Sequence, residues 1–291
     1  MVGTVLVPLD GSELAEAALP YAKAIAEKTG AVLHLVEVVP IDAPPDEAAE
    51  AREYLSRLAG QLGNRVQLSV RYGHPAAEII DLAQELADPV IVMTTHGRGG
   101  LGRWLYGSVA DRVVRGAGLP VLLIRSGFPR RELVMVRTIM VPLDGSPLAE
   151  AALPYAIELA RRFDAGLHLV RVAETPEVYA LLGAHGQAAA SGDVIAEIAQ
   201  QMIDDASAYL GEVSERLRSE GIRVEHHVLE GLAIEQLLAF ERERQPDLVV
   251  MATHGRGGLS RVIFGSVAEH VLREGNAPVM LIRPPEPEEK G

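Results

Sequence analysis

The stretch Val7–Ala22 reads VPLDGSELAEAALPYA, and Val141–Ala156 reads VPLDGSPLAEAALPYA, so sixteen positions recur with one difference. Further along, Thr95–Leu101 reads THGRGGL and returns unchanged at Thr253–Leu259. Self-similarity at a period this long indicates a duplicated domain and not a solenoid of short repeats. The sequence therefore predicts two copies of one domain.

The second copy is longer than the first. The first block recurs after 134 residues, whereas Gly107-Ser108 recurs as Gly265-Ser266 after 158 residues. The 24 extra residues therefore fall between Ala173 and Gly231. We expect the segment 174–198 to form either a mobile flap beside the second site or an extension of a helix, and the sequence leaves both readings open.

The domain boundaries follow from the repeat. The chain has 291 residues, which suits two domains of about 100–150 residues. We predict domain one at 1–128, a turn-rich basic linker at 129–135 and domain two at 136–285. The segment 286–291 is predicted to be a disordered tail, because its proline and glutamates cannot build a core.

The composition narrows the class of protein. Apolar residues make up 48% and charged residues 23%, as in globular proteins, and the net charge is −13. The absence of a basic stripe argues against nucleic acid as a partner. There is no cysteine for thiol chemistry. Since no leader and no apolar run of about 18 residues is present, we expect a cytoplasmic protein without a membrane partner.

Short apolar runs alternate with amphipathic segments in each copy, which predicts βαβ units with a parallel sheet covered on both faces. In the first copy the predicted strands are Val5–Pro8, Ala31–Val39, Val66–Arg71, Val90–Thr94 and Pro120–Ile124. The predicted helices are Leu14–Lys28, Asp46–Leu62, Ala76–Ala87 and one that starts at Ser108. The fold class is therefore α/β, with two doubly wound domains.

Two segments of each copy converge at the carboxyl ends of the strands, where doubly wound sheets bind ligands. In the first copy these are Pro8–Ser12 and the glycine-rich loop Thr95–Gly100, which leads to Gly107-Ser108 at a helix start. Glycines allow backbone N–H groups to approach an anion closely, and a helix N-terminus adds unpaired donors. This arrangement predicts a phosphate-binding site.

These motifs resemble the ATP-binding universal stress proteins, which carry Gly-x-x-Gly, nine residues, and then Gly-Ser/Thr. In this chain Gly97 is followed by nine residues and Gly107-Ser108, and Gly255 by nine residues and Gly265-Ser266. The resemblance covers nearly the whole chain, twice over, so the sequence resembles a tandem universal stress protein. It implies Rossmann-like domains (adenine nucleotide alpha hydrolase-like), each with a five-stranded parallel sheet flanked by helices.

The resemblance also implies which residues bind nucleotide. In the first copy they are Pro8, Asp10, Val38, Thr94, Gly97, Arg98, Gly107, Ser108 and Val109. In the second copy they are Pro142, Asp144, Val172, Ala252, Gly255, Arg256, Gly265, Ser266 and Val267. The first glycine of the motif is replaced by Thr94 and Ala252, and because threonine is bulkier, we expect the first copy to bind more weakly.

Simpler roles exist for several of these residues. Ser108 with Asp111 would also make a capping box for the following helix. Asp10 could cap a helix, although Ser12 is already placed to do so. No metal ligands are predicted, since His226 and His227 are neighbours on a strand and point to opposite faces.

The expected ligand is ATP, with ADP or AMP as alternatives and Mg²⁺ held mainly by phosphate oxygens. The P-loop signature Gly-x-x-x-x-Gly-Lys-Ser/Thr is absent from the sequence, and we find no positioned base for phosphoryl transfer. The resemblance therefore implies a regulatory, non-catalytic or very slow ATPase module of the stress response, with no catalytic residue assigned. The alternatives are a slow ATP hydrolase and a nucleotide-independent scaffold.

Assembly is predicted from the last strand of each copy. Val121–Ile124 and Val279–Ile282 are apolar edge strands that need covering. One-domain relatives commonly dimerise through this strand, so we expect an internal pseudo-dimer through the two fifth strands, with a homodimer as a further option.

Trp104, the only tryptophan, lies within the first glycine motif. We expect its fluorescence to report nucleotide binding in the first copy.

Overall fold

The computed structural model describes residues 2–63, 65–95, 107–125, 134–174, 192–253 and 265–283. In chain order the elements are β1 (Thr4–Leu9), α1 (Glu13–Glu16), α2 (Leu19–Thr29), β2 (Val32–Val39), α3 (Pro45–Leu62), β3 (Val66–Tyr72), α4 (Pro75–Glu85), β4 (Pro89–Thr94), α5 (Ser108–Gly116), β5 (Val121–Ile124), β6 (Thr138–Pro142), α6 (Pro147–Glu150), α7 (Leu153–Phe163), β7 (Gly166–Ala173), α8 (Gly192–Ser219), β8 (Val224–Glu230), α9 (Ala233–Arg244), β9 (Leu248–Ala252), α10 (Ser266–Glu274) and β10 (Val279–Ile282). Strands alternate with helices, and the predicted α/β fold class is confirmed.

The chain divides into two units, the first comprising Met1–Met135 with Pro278–Gly291 and the second Val136–Ala277. In the first unit the five strands of the first copy lie in the order β3-β2-β1-β4-β5, and every neighbouring pair among these five is parallel. In the second unit the order is β8-β7-β6-β9, again with parallel pairs. Both orders are those of a doubly wound sheet.

The strand β10 belongs to the second copy in sequence but to the first unit in structure. It pairs antiparallel with β5, with Val279 opposite Leu123 and Leu281 opposite Val121. All four residues of each strand are buried. The predicted pairing of the two fifth strands is therefore confirmed.

The central strands are buried on both faces. Every residue of β4 and of β9 is buried, as expected for parallel strands with helices on both sides. Leu6 of β1 and Ile91 of β4 are register partners and are both fully buried. The ends of these buried apolar strands mark the carboxyl edge of the sheet, where the loops and the starts of the following helices lie.

The helix after the first strand differs from the prediction of one helix over Leu14–Lys28. It is broken into α1 and α2, with Pro20 in the first turn of α2. A proline has no N–H to donate to the carbonyl four residues earlier, and its ring clashes there. Pro154 occupies the same place in α7 and separates it from α6.

The extra residues of the second copy lengthen a helix. α8 has 28 residues, whereas its counterpart α3 has 18. For residues 192–198 of the predicted segment, the helix-extension reading is therefore correct. Residues 175–191 lie outside the described residues. Within the described part of the chain, no helix has both the length and the apolar character needed to span a bilayer.

Candidate functional site

The neighbouring strands β1 and β4 define the candidate site of the first unit. From β1 the chain continues to β2 on one side, and β4 lies on the other side. Such a switch point leaves a crevice beyond the carboxyl ends of the two strands. Asp10 follows β1 there, and Thr94 ends β4. In the second unit β6 and β9 form the same pair.

The turn after β1 is built by its own side chains. The Asp10 carboxyl oxygen Oδ1 accepts hydrogen bonds from the Ser12 N–H (3.1 Å) and the Ser12 hydroxyl (2.6 Å). Ser12 Oγ in turn accepts from the Ala15 N–H at 3.2 Å and caps α1. Gly11 between them has φ 78°, a conformation that favours glycine. Ser12 is therefore the cap, and Asp10 holds the turn at the sheet edge.

The second copy repeats this turn almost atom for atom. Asp144 Oδ1 accepts from the Ser146 N–H at 2.8 Å, and Ser146 Oγ accepts from the Ala149 N–H at 3.1 Å. Gly145 has φ 83°. The sequence did not single out the two glycines as site residues, although Asp-Gly-Ser is a recognisable turn signal.

Among the residues that the structure describes, no side chain caps the start of α5 or of α10. The N-cap residues are Gly107 and Gly265, and neither helix start has a side-chain capping hydrogen bond among the described residues. Ser108 and Ser266 are the first helical residues and are exposed. The capping-box reading of Ser108 is therefore wrong. Uncapped first-turn N–H groups are the donors that bind anions at helix N-termini.

A short hydrogen bond ties each helix start to the neighbouring strand end. The Gly107 N–H donates to the Thr95 carbonyl at 2.6 Å, and the Gly265 N–H donates to the Thr253 carbonyl at 2.7 Å. Both threonines are buried. The link holds each helix N-terminus at the carboxyl edge of its sheet.

The remaining predicted residues fall into two groups. Pro8 and Val38 lie near the ends of β1 and β2, and Val109 is the second residue of α5. Their counterparts in the second copy are Pro142, Val172 and Val267, at the ends of β6 and β7 and the start of α10. Gly97, Arg98, Gly255, Arg256 and Trp104 lie outside the described residues. Thr94 and Ala252 are both buried, and the weaker binding expected from Thr94 stays a prediction.

The comparison with known proteins decides the family. The model of the Universal stress protein family matches residues 1–125 and again 135–283. The chain belongs to the universal stress protein family. The two matches in succession make it a tandem member, as the repeat predicted.

Some relatives match the whole tandem chain and others match about half of it. The chain is 28% identical to Universal stress protein Rv2005c of Mycobacterium tuberculosis, with 96% of each chain covered. It is 29% identical to Universal stress protein MJ0531 of Methanocaldococcus jannaschii, over 53% of this chain and 86% of that protein. The crystal structure of a universal stress protein from Archaeoglobus fulgidus superposes with a TM-score of 0.72 at 23% identity, covering 96% of this chain and 98% of that one. That structural likeness shows a common fold.

In both universal stress protein domains a tyrosine lies beside the strand-one turn. The Tyr54 hydroxyl of α3 donates to Glu16 Oε1 at 3.2 Å, and the Tyr209 hydroxyl of α8 donates to Glu150 Oε1 at 2.9 Å. Burial, followed by the adjacent glutamate, raises the pKa of each tyrosine well above its usual value of 10.0. Both phenols are therefore neutral donors at physiological pH.

The charge near this tyrosine differs between the two domains. Glu37 and Asp10 add negative charge that further raises the pKa of Tyr54. In the second domain the position of Glu37 is occupied by Arg171, whose guanidinium carbon lies 5.1 Å from the centre of the Tyr209 ring. The second site is thus more positive by two charges at this position. Arg171 follows Glu37 by 134 residues, the offset of the repeated strand-one block, so the sequence itself carries this difference.

Proposed function

We propose that each universal stress protein domain of this chain binds one adenine nucleotide, with ATP as the main ligand and ADP or AMP as alternatives. The nucleotide acts as a regulatory signal in the stress response and is not turned over, or is hydrolysed only very slowly. Mg²⁺ would accompany the phosphates and be held mainly by their oxygens.

The observation that carries this proposal is the pair of helix starts that no side chain of the described part of the chain caps. The N-termini of α5 and α10 lie at the switch point, where Gly107 and Gly265 are tied to the strand ends. An anion there meets backbone N–H groups and the positive end of the helix dipole. The aspartates of the strand-one turns, Asp10 and Asp144, are acceptors at the same edge and suit hydroxyl or amino groups of a nucleoside.

A glycine substitution separates phosphate binding from folding. Gly265 has φ −64° and ψ 144°, which other residues also adopt, so Gly265→Val adds side-chain volume without backbone strain. We expect the added methyl groups to occupy phosphate space and to abolish ATP binding in the second domain. Gly107→Val, at φ −58°, is the matching change in the first domain.

Isothermal titration with ATP tests the proposal. A control is Gly211→Val in α8, because a Cβ at Gly211 meets nothing within 4 Å, and this variant should bind ATP as the original protein does. Each of the two site variants should lose one binding event and the double variant both. Nucleotide extracted from freshly purified protein, with an assay of added ATP, distinguishes the readings. Bound ATP supports the proposal, release of ADP from added ATP favours the hydrolase, and no nucleotide together with no ATP titration favours the scaffold.

A further inference from the structure

Three side chains on two strands of the second unit converge outside the nucleotide site. His168 lies on β7, and Glu225 and His227 lie on the edge strand β8. His168 is the register partner of Glu225, and residues two apart on a strand share a face. His168 Nδ1 lies 3.1 Å from His227 Nε2, and each of these nitrogens lies 3.8 Å from Glu225 Oε2.

These separations suit a tetrahedral metal ion. Zinc binds imidazole nitrogen and carboxylate oxygen at about 2.0–2.2 Å, which places neighbouring ligand atoms about 3.3–3.6 Å apart in a tetrahedron. The three atoms of this cluster are already within a few tenths of an ångström of that spacing. The two nitrogens must move slightly apart and the carboxylate slightly inward, and Glu225 is exposed enough to do so.

The ligand types select the class of metal. Two imidazoles with one carboxylate suit zinc and its neighbours, whereas Ca²⁺ and Mg²⁺ prefer oxygen ligands throughout. Burial is the main cause that lowers the pKa of both His168 and His227, and it thus favours the neutral ring that binds metals. In the metal-free protein the two nitrogens share one hydrogen bond. When an ion binds both nitrogens, the ring that carried the hydrogen of this bond changes tautomer. Its hydrogen then lies on the other nitrogen of the same ring.

One neighbouring charge opposes a cation. Arg244 of α9 packs over the Phe240 ring at 5.8 Å, and Phe240 in turn contacts both histidine rings. The positive charge of Arg244 lowers the pKa of His168 and His227. The same charge repels a metal ion and therefore weakens its binding. The carboxylate of Glu225 acts in the opposite sense on both rings.

The first copy supplies an internal comparison. His34 of β2 occupies the position of His168, but its register partner is Gln67, and Ser69 stands in the place of His227. His34 Nε2 is hydrogen-bonded to Ser69 Oγ at 2.8 Å. The duplication therefore retained the fold while only the second copy carries three metal-binding side chains at this place.

We propose that His168, Glu225 and His227 form a binding site for a divalent transition-metal ion of the zinc type, with a fourth position open to water. The ligands come from β7 and from the edge strand β8, so metal binding links these two neighbouring strands of the second unit. Three protein ligands with one open position are the pattern of zinc sites that exchange a small ligand.

Titration of the nucleotide-free full chain with ZnCl₂ tests the site, with Co²⁺ as a probe whose visible absorption distinguishes tetrahedral from octahedral coordination. We expect one equivalent bound and a tetrahedral Co²⁺ spectrum. Glu225→Gln and His227→Ser install the residues of the first copy, which this fold already accepts, and each should weaken binding at least about tenfold. Arg244→Leu, again the first-copy residue, should strengthen it.

Two further variants sharpen the result. His226→Ala removes a histidine on the opposite face of β8, where it is hydrogen-bonded to Ser214 of α8 at 3.0 Å, and should leave binding unchanged. Gln67→Glu combined with Ser69→His should add a second equivalent beside His34. The proposal is overturned if the original protein binds no Zn²⁺, if Glu225→Gln and His227→Ser bind it as tightly, or if His226→Ala removes the binding.

Discussion

The buried side chain of Glu241 allows a quantitative prediction about the second universal stress protein domain. Glu241 of α9 is 1% exposed, and its Oε1 accepts hydrogen bonds from the backbone N–H groups of Asn276 (2.6 Å) and Ala277 (2.7 Å). These N–H groups belong to the turn that follows α10. In the first copy the corresponding residue is Ala83, which is also buried.

Replacing Glu241 with alanine leaves two N–H groups without this acceptor. The Ala277 N–H is buried, whereas the Asn276 N–H is only partly buried. An unsatisfied buried donor costs about 1–3 kcal/mol, so Glu241→Ala should lower the free energy of unfolding by about 1–3 kcal/mol. Against a typical total of about 5–15 kcal/mol this is a substantial loss. Glu241→Gln retains Oε1 as an acceptor and should lose distinctly less.

Urea unfolding followed by circular dichroism measures the loss, and hydrogen exchange of the Asn276 and Ala277 amides localises it. Glu243→Ala is the control, because Glu243 lies on the same helix with its side chain 73% exposed. It should change the free energy of unfolding by less than about 0.5 kcal/mol. If Glu241→Ala is equally harmless and both amides stay protected, the assigned role of Glu241 is refuted.

Three further predictions concern the two sites. Glu37→Arg should strengthen ATP binding in the first domain and Arg171→Glu should weaken it in the second, because each changes the local charge by two; calorimetry showing no change in either would contradict the electrostatic argument. The free energy of unfolding should fall as pH rises above about 10, since unfolded tyrosines ionise there while the raised pKa values of Tyr54 and Tyr209 keep the folded phenols protonated. In urea unfolding, Tyr54→Phe and Tyr209→Phe should each make this fall with pH less steep. An unaltered dependence on pH in both variants would count against the prediction. Finally, Trp104 emission should follow occupancy of the first domain and lag behind total ATP bound in a titration, so emission that tracks the first equivalent would show the order of affinities to be reversed.

Much of the fold could be predicted because the apolar runs and the repeat both point to it. The fully buried strands β4 and β9 are continuous apolar segments, and such segments indicate parallel strands under two layers of helices. The break between α1 and α2 was also readable, because Pro20 cannot continue a helix that began several residues earlier. The amphipathic pattern on both sides of the proline concealed it.

The local chemistry of the site was harder to predict. Ser108 fits a capping box by type and spacing, yet the structure makes Gly107 the N-cap, and a shift of one residue changes the role of the hydroxyl. Such boundaries depend on backbone angles that the sequence pattern does not determine. The cluster of His168, Glu225 and His227 depends on strand register, which joins residues 57 or more positions apart and is invisible to a motif search.

The position of β10 has a consequence for how the chain is made. The first unit includes β10, whose residues Val279–Ile282 are synthesised more than 150 positions after β5. While the ribosome is still translating the second copy, the apolar strand β5 has an open edge, and exposed edges invite pairing with other chains. The sheet of the first unit is thus complete only after nearly all of the second copy has been translated. A chain whose translation ends before Val279 lacks β10, and the edge of β5 at Val121–Ile124 then has no strand to pair with.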